Sequence, residues 1–260
     1  MKKLVMFVLL LGFIWGDVVC YTNTSYFYSL PASEQKRIKV IESVLPSVVN
    51  IVWYTKVYKR VYKYIDLWDG FIVKVPKWFI QAGYKPVSAW TAFFISSKGV
   101  LLTNYHVIAD SSLKYKAIDF YWKEYNVKVL LVNKKLDLAL LYIKGNHFKP
   151  VRLWNSDYVR LGQTVFAIWN TLWEYPYTVS DGIVSGKWRS IVAWWDFWEE
   201  YLEWLLQTTA PINPWNSWWP LIDSLWNVIW VNVAVNRYGQ NIGFAVPINK
   251  LFEWLKSLKY

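Results

Sequence analysis

The chain has 260 residues, 55% of them apolar, and a formal charge of +11; this is enough for one large domain or two small ones with a sizeable core. Its single cysteine, Cys20, excludes an intramolecular disulfide, and with it the disulfide-stapled extracellular folds and the structural zinc modules. The charge reads first as a soluble basic surface and next as a contact for an anionic envelope polymer or lipid; no motif supports a nucleic-acid partner.

Lys2 and Lys3 precede an apolar run from Leu4 to Trp15. That pattern marks residues 1–20 as a secretory signal peptide or N-terminal anchor, and hence an exported protein: periplasmic, extracellular or membrane-anchored, with membrane association through this segment. The run is shorter than the roughly 20 residues a spanning helix needs. Residues 21–32 are polar and Tyr-rich, a lead-in without regular structure. Ser33 is placed to cap a short helix with Ile38, Ile41 and Leu45 on one face, ended by Pro46. The stretch SVVNIVW from Ser47 then reads as a strand. Residues 54–88 interleave Lys with Tyr (KVYKRVYKY), either a solvated hairpin insertion or a membrane-surface or partner-binding loop.

From Trp90 onward short strands follow closely: TAFFISS, VLLTNYHVI, KVLLVN, DLALLYI, TVFAI, TVSDGIVSG, LLQTTA, PLID, NVIWVNVAV and IGFAVP. Many short strands with regular turns argue for a β-barrel or sandwich. Ile248, Leu251, Phe252, Leu255 and Leu258 share a helical face, which predicts a closing helix that packs on the body.

Two histidines are present. His106 ends an apolar strand in LLTNYHVI, and His147 sits in the polar turn KGNHFKP. The segment QTTAPINPWNSWWPLID holds Ser217 in a tight turn between two strands. Such a turn exposes a hydroxyl and can converge backbone N–H groups on the point where an oxyanion forms. A serine nucleophile needs a base within hydrogen-bond reach, and the base needs an orienting carboxylate. Asp137, in KKLDLALLYI, stands at the start of a strand that reads as buried, where an acid is costly unless paired.

The order His106, Asp137, Ser217 resembles that of chymotrypsin-fold proteases, and the local motifs resemble the HtrA/DegP family. TAFFISSKGVLLTNYHVI is similar to the family's histidine segment and KKLDLALLYI to its aspartate segment. VRLGQTVFAI, TVSDGIVSG, QTTAPINPWNSWWPLID and NIGFAVPIN follow the order of its second-barrel signatures. The resemblance covers roughly residues 38–255. It implies an all-β fold of two antiparallel six-stranded β-barrels with a C-terminal helix. After the N-terminal segment, 21–46, the first barrel would span 47–150, the second 151–247 and the helix 248–260, with no PDZ domain. It implies a serine-type endopeptidase acting on misfolded or exposed envelope polypeptides and assembling as a homotrimer, with neither metal nor other cofactor. His106 takes the base role, Asp137 the orienting role and Ser217 the nucleophile role. The backbone N–H groups of Trp215, Asn216 and Ser217 form the oxyanion hole.

The sequence departs from that pattern in one systematic way. Tryptophan stands where the family has glycine, at Trp215, Trp218 and Trp219 around the serine and again at Trp90, Trp154, Trp169, Trp173, Trp188, Trp226 and Trp230; Trp122 and Trp204 join the same set. Twenty tryptophans against eleven glycines fits such an exchange. Some bacterial codes read UGA as glycine, and translating such a gene with UGA as tryptophan would produce this pattern. Taken literally, a tryptophan-filled active site suggests the alternative of an inactive protease fold that binds polypeptides or the envelope surface. A membrane-surface structural protein is a third reading, and it leaves the ordered motifs unexplained.

Overall fold

The β-branched and aromatic runs after Ser47 pair into two sheets. The structure, a computed structural model, describes residues 23–66, 72–171, 175–194, 199–211, 220–235 and 241–258. The expected signal peptide or anchor (1–20), Trp173, and the loop bearing Trp215, Asn216, Ser217, Trp218 and Trp219 lie outside these residues.

The chain divides into two compact units, Met1–Lys39 and Val40–Tyr260. In the first, helix α1 (Asn23–Ser29) occupies part of the stretch expected to lack regular structure. Local bonds hold it: Ser29 Oγ donates to the Tyr26 carbonyl at 2.7 Å, and Lys39 Nζ lies 5.5 Å from the Phe27 ring centre. Helix α2 (Ala32–Val44) starts ahead of Ser33, so that serine lies inside the first turn and not at the cap. Its last turn belongs to the second unit, where Val40 and Val44 are the fully buried residues and Ile41 and Leu45 of the expected face pack half-buried against the same cluster. A 3₁₀ turn over Leu45–Ser47, with Pro46 inside it, leads into the first strand.

Strands β1 (Val48–Asp66), β2 (Ile72–Phe94), β3 (Val100–Thr103), β4 (Lys114–Ile118), β5 (Glu124–Asn133) and β6 (Leu138–Ile143) close a barrel in the order β1-β2-β3-β6-β5-β4. The second sheet is built from β7 (Arg152–Leu153), β8 (Thr164–Thr171), β9 (Tyr175–Trp194), β10 (Glu199–Thr208), β11 (Pro220–Asp223), β12 (Asn227–Val235) and β13 (Gly243–Pro247). Its order is β11-β8-β9-β10-β13-β12-β7, and pairing of β11 with β12 closes six of these strands into a ring. The two-residue β7 adds to β12 in parallel, a seventh strand beyond the six expected. The fold is all-β, of the chymotrypsin type.

Period-two alternation explains how short strands fill this architecture. Val49 and Ile51, Ala92 and Phe94, Leu101, and Ala139, Leu141 and Ile143 belong to one buried cluster. Their neighbours Val48, Phe93, Leu102, Leu138 and Leu140 belong to another, with Phe166, Ile168 and Ile222 of the second barrel. Both faces of these strands are therefore covered, which is why they read as unbroken apolar runs.

Helix α3 (Asn249–Ser257) closes the chain on the second cluster through Leu251 and Trp254, beside Ile248. Leu258, expected on the packed face, is 51% exposed because the helix has ended before it. Among the described residues no helix is long and apolar enough to cross a membrane.

Candidate active site

The antiparallel pairing of β3 with β6 decides where the site forms. Thr103 at the end of β3 opposes Ala139 at the start of β6. The chain just past β3 and the chain just before β6 are thereby brought side by side. His106 opens a 3₁₀ turn over His106–Ile108, and Asp137 occupies the turn that enters β6.

Asp137 is 3% exposed and sits at φ +50°, a left-handed conformation that aspartate tolerates. Its backbone carbonyl accepts the Tyr105 N–H at 3.1 Å and the Asn104 side-chain amide at 2.9 Å. The same amide reaches Oδ2 at 3.1 Å, and the His106 backbone N–H donates to Oδ1 at 3.1 Å. A buried carboxylate is thus surrounded by donors that fix its plane. The imidazole completes the arrangement: Nδ1 of His106 lies 2.9 Å from Oδ1 and 2.8 Å from Oδ2. A carboxylate that accepts from Nδ1–H leaves Nε2 as the basic nitrogen of the neutral ring. The edge-on Trp90 ring, 6.3 Å between centres at 85°, packs against the imidazole.

Residues leading to the serine loop are fixed as tightly. Thr209 exchanges bonds with Ile183 of β9, its N–H donating to the Ile183 carbonyl at 3.1 Å and its Oγ1 accepting the Ile183 N–H at 3.0 Å. Ala210 N–H donates to Thr208 Oγ1 at 3.0 Å, and Ser180 Oγ donates to the Pro211 carbonyl at 3.1 Å. Gly182 has to be glycine, since a Cβ there would collide with the Ala210 backbone nitrogen. Beyond Pro211 the chain returns at β11, paired with β8.

Of the residues singled out from sequence, the structure brings together His106 and Asp137. His147 stands apart in an exposed turn between β6 and β7, at φ +66°. Ser217, Trp215 and Asn216 lie outside the described residues. Asn104 is the residue that sequence reading passed over; the polar pair Thr103-Asn104 at the end of an apolar strand was its only signal. Among the described residues no group of His, Cys, Asp and Glu could hold a metal ion.

A profile of the trypsin-like peptidase domain matches residues 90–229. A "probable periplasmic serine endoprotease DegP-like" of Pseudomonas fulva is 33% identical over 175 residues, which cover 66% of this chain and 35% of that protein. The protein of the same name from Rickettsia prowazekii is 35% identical over 180 residues, 67% of this chain and 34% of its own length. The chain therefore spans about a third of the curated relatives it matches. The HtrA-type protease AlgW, solved with a decapeptide, superposes with a TM-score of 0.63 at 28% identity, covering 85% of this chain and 66% of AlgW. The structure of Deg5 gives 0.61 at 26% identity, covering 86% of this chain and 94% of Deg5. On a shared fold and a domain match that runs from Trp90 beside the histidine to β12 past the serine loop, the chain belongs to the trypsin-like peptidase family, in its HtrA group.

Proposed function

We propose that the chain is a serine endopeptidase working through an acyl-enzyme. Ser217 Oγ attacks the peptide carbonyl carbon while its proton passes to Nε2 of His106. Asp137 holds the ring by Nδ1 and balances the imidazolium that forms. The carbonyl oxygen becomes an oxyanion bonded by the backbone N–H groups of Trp215, Asn216 and Ser217. His106 then protonates the departing amine, leaving an ester on Ser217. Water, deprotonated by the same nitrogen, cleaves the ester and releases the new carboxyl end.

The observation that carries this reading is the His106–Asp137 pair, with the carboxylate held from behind by Asn104 and by the His106 main chain. The substrates would be exposed or misfolded polypeptides outside the cytoplasm, as the periplasmic relatives suggest. A homotrimer is the assembly the family likeness implies, measurable by light scattering.

Active-site labelling with a fluorophosphonate tests the proposal. The chain carrying Trp215→Gly, Trp218→Gly and Trp219→Gly is expected to label on Ser217, and Ser217→Ala or His106→Ala to abolish it. A folded protein that does not label would favour an inactive protease fold that binds polypeptide.

A further inference from the structure

Eight non-glycine residues among those described have positive φ, and four of them are tryptophan: Trp122 (+64°), Trp188 (+60°), Trp204 (+61°) and Trp226 (+71°). The left-handed region admits glycine freely and asparagine or aspartate occasionally; a bulky aromatic there is a genuine outlier. None of the four rings gains burial in return, being 59%, 46%, 55% and 49% exposed.

Two of these positions are the same turn built twice. Asp119 and Asp223 each begin a four-residue turn that ends on a tryptophan, whose N–H donates to the aspartate carbonyl at 3.0 and 3.1 Å. In the first turn Asp119 Oδ1 accepts from the N–H groups of Tyr121 and Lys123, both at 2.9 Å. In the second Asp223 Oδ1 accepts from Leu225 at 2.8 Å and Asn227 at 3.0 Å. An aspartate at the first position and a left-handed residue at the fourth is a turn that calls for glycine there. The other two lie inside successive register breaks between β9 and β10: Trp204 between the pairs Leu202–Ile191 and Leu205–Arg189, and Trp188 between Leu205–Arg189 and Gln207–Gly186. A bulge with a left-handed residue is again a glycine position.

We propose that the polypeptide this gene makes carries glycine, encoded by UGA, at positions 122, 188, 204 and 226, and by the same codon at 215, 218 and 219. The four turn and bulge positions stand on backbone geometry alone; the three beside Ser217 rest on the protease reading. Sequencing the gene and weighing the peptides of the protein isolated from its own cells test this without any activity measurement. UGA codons and glycine masses are expected; UGG codons or tryptophan masses overturn it. A variant with Trp122→Gly, Trp188→Gly, Trp204→Gly and Trp226→Gly should melt several degrees higher than the chain carrying the four tryptophans, and an unchanged or lower Tm would mean that these positions do not demand glycine.

The β1–β2 hairpin supports a second inference independently. Past Tyr54, β1 pairs with β2 alone, while β2 meets β3 only at Phe93 and Phe94, so the ribbon leaves the barrel as two strands. Its register aligns Lys56 with Tyr84, Tyr58 with Gln81, Arg60 with Phe79 and Tyr64 with Lys74. Bulges between Trp53/Tyr54, Val57/Tyr58 and Val61/Tyr62 recur along the ribbon. Cross-strand partners share a face, so one face alternates exposed rings with cations: Tyr58, Tyr64, Phe79 and Tyr84 are 56%, 64%, 62% and 45% exposed. Arg60 lies 5.2 Å from the Phe79 ring centre and Lys74 4.2 Å from that of Tyr62. Among the described residues no tryptophan stands in this row of cross-strand partners, so the row is the same whichever way the codons are read.

We infer that this face docks on an anionic lipid surface. Residues 54–88 hold seven Lys and Arg against two Asp, a charge opposite to that of such a surface. Amphipathic tyrosines with interspersed cations suit the headgroup layer, where rings sit at the acyl boundary and cations meet phosphates. Vesicle co-sedimentation of the full chain tests it. Phosphatidylglycerol-containing vesicles should bind the protein, and added salt or pure phosphatidylcholine should release it. Lys56→Glu with Arg60→Glu and Lys74→Glu should weaken binding at least tenfold, as should Tyr58→Ser with Tyr64→Ser and Phe79→Ser, with Tm unchanged. Equal binding to neutral vesicles, binding unaffected by these variants, or binding to soluble polyanions alone overturns it.

Discussion

Asp137 serves His106 twice: its carboxylate meets the ring Nδ1 at 2.8 Å through Oδ2 and accepts the same residue's backbone N–H at 3.1 Å through Oδ1. One buried acid therefore fixes both the ring and the main chain that carries it. Asp137→Asn keeps the shape and removes the charge that orders the tautomer. Fluorophosphonate labelling of the glycine-restored protein should slow by about 10³–10⁴-fold. Circular dichroism should show the fold intact, with a lower Tm because an amide would face the donors of Asn104 and His106.

Asn104 acts through Asp137 and is a positioning residue. Its amide donates to both the Asp137 carbonyl and Oδ2. Asn104→Ala leaves a buried carboxylate one donor short, at about 1–3 kcal/mol in stability. The expected kinetic signature is a fall in kcat with KM little changed, since nothing that binds substrate has been removed. A variant that raises KM alone would assign Asn104 to substrate binding instead.

How much of this was legible beforehand depends on how local the deciding physics is. His106 and Asp137 could be found because each lies at the mouth of an apolar strand, where a charge or imidazole has no packing reason to stand. Asn104 could not, because its role exists only once Thr103 opposes Ala139 across two strands far apart in sequence. The helical face of α3 was readable through Leu251, but Trp254 and the exposure of Leu258 follow from where the helix docks and stops. The Trp-for-Gly pattern was visible from family likeness; only backbone dihedrals separated Trp122, Trp188, Trp204 and Trp226 as positions that demand glycine.

Gly182 controls the approach to the nucleophile loop. A methyl group there would meet the backbone nitrogen of Ala210, which cannot move without breaking the Thr209–Ile183 bonds. Gly182→Ala is expected to displace residues 209–211 and cut labelling by at least about tenfold, as small misplacements do. Native-state hydrogen exchange should show lost protection at Thr209 and Ala210, and unchanged protection there would disprove the mechanism.

The paired aspartate turns should each be worth measuring by urea unfolding. Asp119→Ala removes acceptors for the Tyr121 and Lys123 N–H groups and for the Tyr125 hydroxyl, and Asp223→Ala removes those for Leu225, Asn227 and the Asn227 amide. Hydrogen bonds to a charged acceptor contribute about 1.5–3 kcal/mol each net of solvent, and less where, as at exposed Tyr121 and Leu225, the donor stays near water. A net loss of about 2–3 kcal/mol per variant is expected. The two turns lie in different barrels and share no partner, so the losses should add.

Asp119 also sets an alkaline limit on stability. Burial, and next the hydrogen bond its carboxylate accepts from the Tyr125 hydroxyl, push that phenol up to about 12 from 10.0. Burial and the Asp119 charge do the same for Tyr177, and burial with the Asp110 charge for Tyr115, each to about 12. These phenols keep their protons in the folded state at pH values where the unfolded chain has lost them. Their contribution is therefore complete below pH 10 and declines as pH rises through the window up to about 12. The urea midpoint should fall across that window, and Tyr125→Phe, which has no proton to lose, should fall less steeply. Ultraviolet titration of tyrosinate should show a group of phenols ionising late, and Asp119→Asn should bring the Tyr125 and Tyr177 shares of it back toward ordinary values. Parallel slopes for the parent and Tyr125→Phe would mean that the Tyr125 hydroxyl is not what links folding to alkaline pH.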